Sequence, residues 1–171
     1  MEQKALEPLN GAVVQVTPEV LERGREASRR SPRRRMMVPI QRAEDAPVQR
    51  LLNFMQPGTY VQPHRHREPG ACETLSLLGG KLEVLHFSPR GDIISRFLLT
   101  SECPVVDLEP DVWHGMRVLE SDTVVLEIKK GPYDPATDKD FASWAPSERE
   151  LAEGAEPPEW FNPENNAASA R

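Results

Sequence analysis

The chain has 171 residues and a net charge of −6, and 38% of it is hydrophobic. That is enough apolar material for one core, but no run approaches the ~18 apolar residues that a membrane-spanning helix needs. Two cysteines exclude a disulfide scaffold. Residues 1–16 lack a basic start followed by a long apolar stretch, so a cytoplasmic protein without membrane contact is expected.

In chain order, residues 1–16 show little periodicity and are expected to lie extended or loose. Thr17-Pro18-Glu19 then reads as a helix start, with Thr as N-cap, Pro at the first helical position and an acid in the first turn. Val20, Leu21, Gly24 and Ala27 form its apolar stripe, and Ser31-Pro32 ends it. Arg23, Arg25, Arg29, Arg30, Arg33, Arg34 and Arg35 make a dense basic patch. Residues 1–50 carry a net charge of +3, residues 51–144 carry −5 and residues 145–171 carry −4. The patch reads either as a site for an anion or nucleic acid, or as a basic helix end docked on acidic parts of the same chain or a dimer mate. The second reading is preferred, because the remainder is acidic and no nucleic-acid motif accompanies the patch.

From residue 48 the pattern becomes short β-rich runs punctuated by Gly and Pro. The spacing predicts strands over 48–56, 59–66, 72–78, 81–88, 93–100, 105–108, 113–119 and 123–130, with no βαβ alternation. An all-β sandwich or barrel follows. The chain divides into an N-terminal extension, 1–47, a barrel, 48–131, and a C-terminal loop with an acidic, Pro-rich tail, 132–171. The tail is expected to be irregular or disordered, with Trp160-Phe161 able to tack it onto the body.

His64-Arg65-His66 ends a predicted strand, and residues i and i+2 share one face. Both imidazoles can therefore reach one ion at the ~2.0–2.2 Å of metal–nitrogen bonds. A turn at Glu68-Pro69-Gly70 brings Glu73 back beside them, and His114 supplies a third imidazole from a distant strand. Three of the chain's four histidines fall in this set. The expected cofactor is one divalent transition metal, Fe, Mn, Ni or Zn, and octahedral geometry would leave two positions open. His86 reads as a packed strand residue, and Cys72 points away from Glu73.

These spacings resemble the first cupin motif, G-x5-H-x-H-x3-4-E-x6-G, through Gly58, His64, His66, Glu73 and Gly80, with a longer gap before the Glu. The second motif is represented by His114, while Glu109, Asp111 and Val118 stand at its Pro, Gly and Asn positions. Longer stretches are similar to the WbuC family of cupin-fold metalloproteins. They include Ser31-Pro32-Arg33-Arg34-Arg35, Pro47-Val48-Gln49-Arg50-Leu51, Pro57-Gly58-Thr59-Tyr60-Val61, Trp113-His114 and the run from Lys130 to Phe141. The resemblance implies an all-β double-stranded β-helix (cupin, or jelly-roll, barrel) with a bound metal. The family's link to O-antigen gene clusters implies carbohydrate or nucleotide-sugar chemistry.

Strand alternation places Tyr60 and Gln62 on the face of His64, Tyr60 as a hydrogen-bond donor in catalysis and Gln62 as a substrate contact. Arg50 is a candidate for binding an anionic group. Glu127, in an otherwise apolar strand, is a candidate general acid/base if it faces inward. Three functions stay open: a metal-dependent isomerase-like enzyme, a metal-dependent oxygenase, and a non-catalytic sensor or binding module. Each takes a small-molecule ligand and no nucleic acid. A homodimer is expected through residues 1–47 and the arginine patch.

Overall fold

In a computed structural model, residues 3–41, 43 and 45–162 are described; residues 1–2 of the expected loose stretch and 163–171 of the expected tail lie outside them. Helix α1 spans Pro18–Arg30. It begins where its caps predict: the Thr17 side chain accepts from the Val20 N–H, and the Ser31 N–H closes on the Ala27 carbonyl. Ten strands follow: β1 Arg35–Pro39, β2 Val48–Met55, β3 His64–Arg65, β4 Glu73–Gly79, β5 Leu82–Phe87, β6 Ile93–Leu99, β7 Val105–Leu108, β8 Trp113–Val118, β9 Thr123–Lys130 and β10 Asp140–Phe141. A short helix α2, Glu148–Ala152, and a 3₁₀ turn, Glu159–Phe161, complete the described chain.

The strands form two five-stranded sheets, ordered β1-β2-β9-β4-β7 and β10-β3-β8-β5-β6, with antiparallel pairing throughout. Alternate residues of each strand turn inward. Met55, Leu75, Val125, Leu82, Val84 and Met116 are among those that fill the space between the sheets. The opposite face of the first sheet is covered by α1 and the N-terminal segment, where Leu6, Leu9, Val20 and Leu21 pack on Leu52, Phe54 and Val124. The outer face of the second sheet is covered by the C-terminal segment. Trp144 and Trp160 lie 5.1 and 5.4 Å from the Phe87 ring, and Arg117 donates to the Trp160 carbonyl. The expected tacking role of Trp160 and Phe161 is therefore seen.

Of residues 1–16, expected to be extended or loose, the segment around Ala5 is extended along β1, with the Leu6 and Leu9 N–H groups donating to the Met37 and Pro39 carbonyls. This satisfies an otherwise bare sheet edge. The predicted strand 59–66 shrinks to His64–Arg65, because Pro57-Gly58 sets a turn that closes from Thr59 N–H to Gln56 O, and Gly58 sits at φ +88°. β1, β10 and α2 carry too few alternating residues to be read locally; they exist because the sheets and the strap supply their partners. Strands thus come from both sides of 48–131.

The arginine patch is largely engaged within the chain. Arg29 binds Asp122 and Glu22, and Arg33 and Arg35 both bind Glu148 at the start of α2. Arg35 is buried and also donates to the Tyr60 carbonyl. Removing Glu148 would leave that guanidinium without its carboxylate. A fully buried broken pair costs about 3–5 kcal/mol. Glu148 is itself 37% exposed, so Glu148→Ala is expected to cost about 2–3 kcal/mol in urea unfolding, with faster proteolysis after residue 142. An unchanged midpoint and cleavage pattern would remove this role.

Candidate metal centre

His64 and His114 are direct cross-strand partners of β3 and β8, so their side chains leave the same face, with ring centroids 4.4 Å apart. His66 follows two residues after His64. Glu73 opens β4 of the opposite sheet and closes the set from across the barrel. All four are buried, and one ligand atom from each lies within 4.8 Å of the others. Two donors on opposite sides of an ion with ~2.1 Å bonds would stand ~4.2 Å apart. The set therefore needs only a small contraction to hold a divalent ion.

The imidazole orientations decide what the set can do. The Nδ1–H of His64 donates to Gln62 O at 3.0 Å, that of His114 to Val112 O at 2.9 Å, and that of His66 to Asp138 O. A carbonyl only accepts, so in each ring Nδ1 carries the proton and Nε2 offers a lone pair. The three Nε2 atoms converge on Glu73, whose Oε2 is 3.1 Å from those of His66 and His114. His64 Nε2 is buried without a hydrogen-bond partner. Lone pairs aimed at one another and at a carboxylate repel unless a cation stands between them. Backbone carbonyls that hold the far nitrogen are also the usual outer support of histidine ligands.

Electrostatics agree. Burial, together with the charge of Lys139, holds His64 well below the usual imidazole range and keeps it neutral. Burial alone would raise Glu73, and what holds its carboxyl well below the usual range is positive charge at His114 and His66, a proton on Nε2 standing where a cation would otherwise be. Glu127, one strand away on β9, behaves oppositely: burial and the neighbouring Glu73 charge push it up. It accepts from Asn53 Nδ2 at 3.0 Å and stands 3.9 Å from Lys129 Nζ. Lys129 in turn holds Asp138 Oδ1 at 2.6 Å. A cleft of about 190 Å³ beside the centre is lined by His66, Ala71, Lys129 and Asp138, among others.

Glu127 thus faces inward beside the cluster, the condition on which its candidacy as a general acid/base rested. The alternation that aimed Tyr60 and Gln62 with His64 fails, because Thr59–Pro63 is not strand. The Tyr60 hydroxyl donates to Pro146 O at 2.7 Å, and Gln62 Nε2 donates to the Ala142 and Ala145 carbonyls; both side chains hold the C-terminal segment. Arg50 is exposed and shares the face of Leu52 and Phe54, away from the interior. His86 is half-buried opposite His114, bonded to Ser95, and outside the four-residue cluster. Cys72 is exposed. Sequence reasoning missed Asn53, Lys129 and Asp138. Lys129 was accessible as the i+2 neighbour of Glu127; nothing local pointed to Asp138.

Residues 16–99 match the family described as a domain of unknown function, DUF6016. Among solved structures, the capsular polysaccharide assembling protein CapF from Staphylococcus aureus superposes with a TM-score of 0.51 at 20% identity, over 61% of this chain and 31% of CapF. Protein SO0799 from Shewanella oneidensis superposes with a TM-score of 0.50 at 16% identity, over 68% of this chain and 77% of that one. The fold is that of the cupins. A stretch of 72 residues, 42% of this chain, is 31% identical to the probable S-adenosyl-L-methionine-dependent methyltransferase TehB of Haemophilus influenzae, of which it spans 24%. Within this cupin barrel the buried His-His-Glu-His cluster is a candidate divalent metal site. Among the described residues, no helix is long and apolar enough to cross a membrane.

Proposed function

We propose that this cupin holds one divalent transition-metal ion through His64, His66, Glu73 and His114, and acts as a metal-dependent enzyme on a small substrate. The observation that carries the reading is the convergence of three Nε2 lone pairs on Glu73, each imposed by a carbonyl bound to the far side of its ring. When bound, such an ion polarises a carbonyl or hydroxyl oxygen of the substrate. Glu127 is the proton carrier of the proposal. It is buried, its proton affinity is raised, and Asn53 orients its Oε2. Lys129 and Asp138 hold the wall from which the substrate approaches His66.

Carbohydrate or nucleotide-sugar chemistry in cell-surface polysaccharide metabolism is the substrate class we propose. Its support is the resemblance to the WbuC family, with a fold shared with a protein of capsular polysaccharide assembly. Elemental analysis of the purified protein tests the metal reading. Near-stoichiometric Fe, Mn, Ni or Zn is expected. Metal that stays far below one equivalent, even after reconstitution, would sink the proposal. A loaded protein that binds sugar nucleotides without turnover would turn it into a binding module.

A further inference from the structure

Of the four sheet edges among the described residues, three are blunt. β1 is covered by the segment around Ala5, β10 is two residues long and β7 is four. β6 differs. Its only sheet neighbour is β5, so the other side of a seven-residue backbone is left unpaired among the described residues. Open edges are normally guarded by proline, lysine or free charge. Ile93-Ile94-Ser95-Arg96-Phe97-Leu98-Leu99 has no proline or lysine, and its one charge, Arg96, is held by Glu83 at 3.1 Å. The register shift between β5 and β6 lies at the start of the strand and leaves Ser95–Leu99 regular. The strand also presents apolar side chains to solvent: Ile94, Phe97 and Leu98 are 59%, 43% and 46% exposed.

We propose that β6 pairs antiparallel with β6 of a second copy of this chain, joining the two sheets edge to edge. A two-fold axis at Arg96 makes the strand complementary to itself. Ile94 of one copy then lies opposite Leu98 of the other, twice, and Ser95 lies opposite Phe97. The same reversal brings the turn of Arg90, whose side chain is 91% exposed, to the turn of the other copy's exposed Glu102. Opposed Arg96 side chains are a cost, and Glu83 in each copy offsets part of it. The three apolar side chains offer ~300 Å² per copy. With the backbone edge and its polar neighbours the contact reaches roughly 1,200 Å² in total, the lower end of specific interfaces. The arginine patch of residues 1–47 has less to offer a second copy, because Arg29, Arg33 and Arg35 are taken by acids of the same chain.

Sedimentation velocity of the full chain between about 1 and 100 µM is the test, and a micromolar monomer–dimer equilibrium is expected. Ile94 and Leu98 are exposed, so replacing them leaves the barrel folded, which thermal unfolding of dilute samples checks. Ile94→Lys combined with Leu98→Lys opposes like charges twice across the axis and should weaken association about a hundredfold or more. Ile94→Lys combined with Leu98→Glu opposes unlike charges at the same two places and should recover the dimer to within about tenfold. The two positions lie ~13 Å apart along their own strand, so that recovery comes only from the other copy. A parent that stays monomeric at the highest concentration overturns the pairing and leaves the edge to a different partner. A dimer that survives the double lysine variant moves the interface away from β6. Loss of the dimer in both double variants overturns the antiparallel register.

Discussion

Replacing His64 by alanine is expected to abolish tight metal binding while the barrel stays folded. His64 Nε2, like His114 Nε2, is buried without a hydrogen-bond partner, and unlike His114 it forms no close ion pair with Glu73 among the described residues. In the metal-free protein its removal therefore breaks a single hydrogen bond, the one to Gln62 O. In the loaded protein it removes one of four donors. Losing only an outer hydrogen bond to a ligand weakens a metal by ~10–100-fold; losing the ligand itself should exceed that. A second readout separates ligand loss from unfolding. An ion present at a thousand times its dissociation constant stabilises the native state by about 4 kcal/mol. The parent protein should lose thermal stability when treated with chelator, whereas His64→Ala should melt at one temperature with or without it. Retention of metal at parental affinity in the variant would remove His64 from the centre.

Phe54→Ala is expected to be among the most damaging single substitutions outside the centre. The ring is fully buried between β2 and α1, and truncating a core phenylalanine costs about 3–5 kcal/mol. The helix approaches it closely because residue 24 is glycine: a Cβ there would stand 2.3 Å from Phe54 Cε2. Gly24→Ala gains about 1 kcal/mol in helix propensity, but the overpacking of a held aromatic ring costs about 1–3 kcal/mol. It is therefore destabilising in the parent. With the ring removed the methyl group has space, and Gly24→Ala should become neutral or stabilising in the Phe54→Ala background. A double-mutant cycle by urea unfolding measures this coupling. Additive effects of the two substitutions would contradict the contact.

The barrel and most of the candidate metal cluster were legible in the sequence because they depend on short-range geometry, and His114 was placed by its likeness to the second cupin motif. Turn residues at Pro57-Gly58, Gly79-Gly80 and Gly131-Pro132 set strand ends, and the i, i+2 rule placed His64 and His66 together. The caps of α1 are one-turn interactions and were read to the residue. Tyr60 and Gln62 were misdirected because alternation was carried through a segment that a turn had already taken out of the sheet. Arg50 was placed near the substrate on its chemistry, yet strand β2 has both faces covered, and only the packing of α1 shows which face Arg50 shares.

By itself, the sequence determined the all-β class, helix α1 and the His64, His66 and Glu73 set, since each follows from patterns within a few residues. Only the tertiary structure decided what orients and surrounds those side chains. His64 and His114 are set by carbonyls two residues away, but His66 is set by Asp138, 72 residues further on. The arginines found their acids at separations of up to 115 residues. Such contacts form when loop closure brings distant segments together, and no local period encodes them.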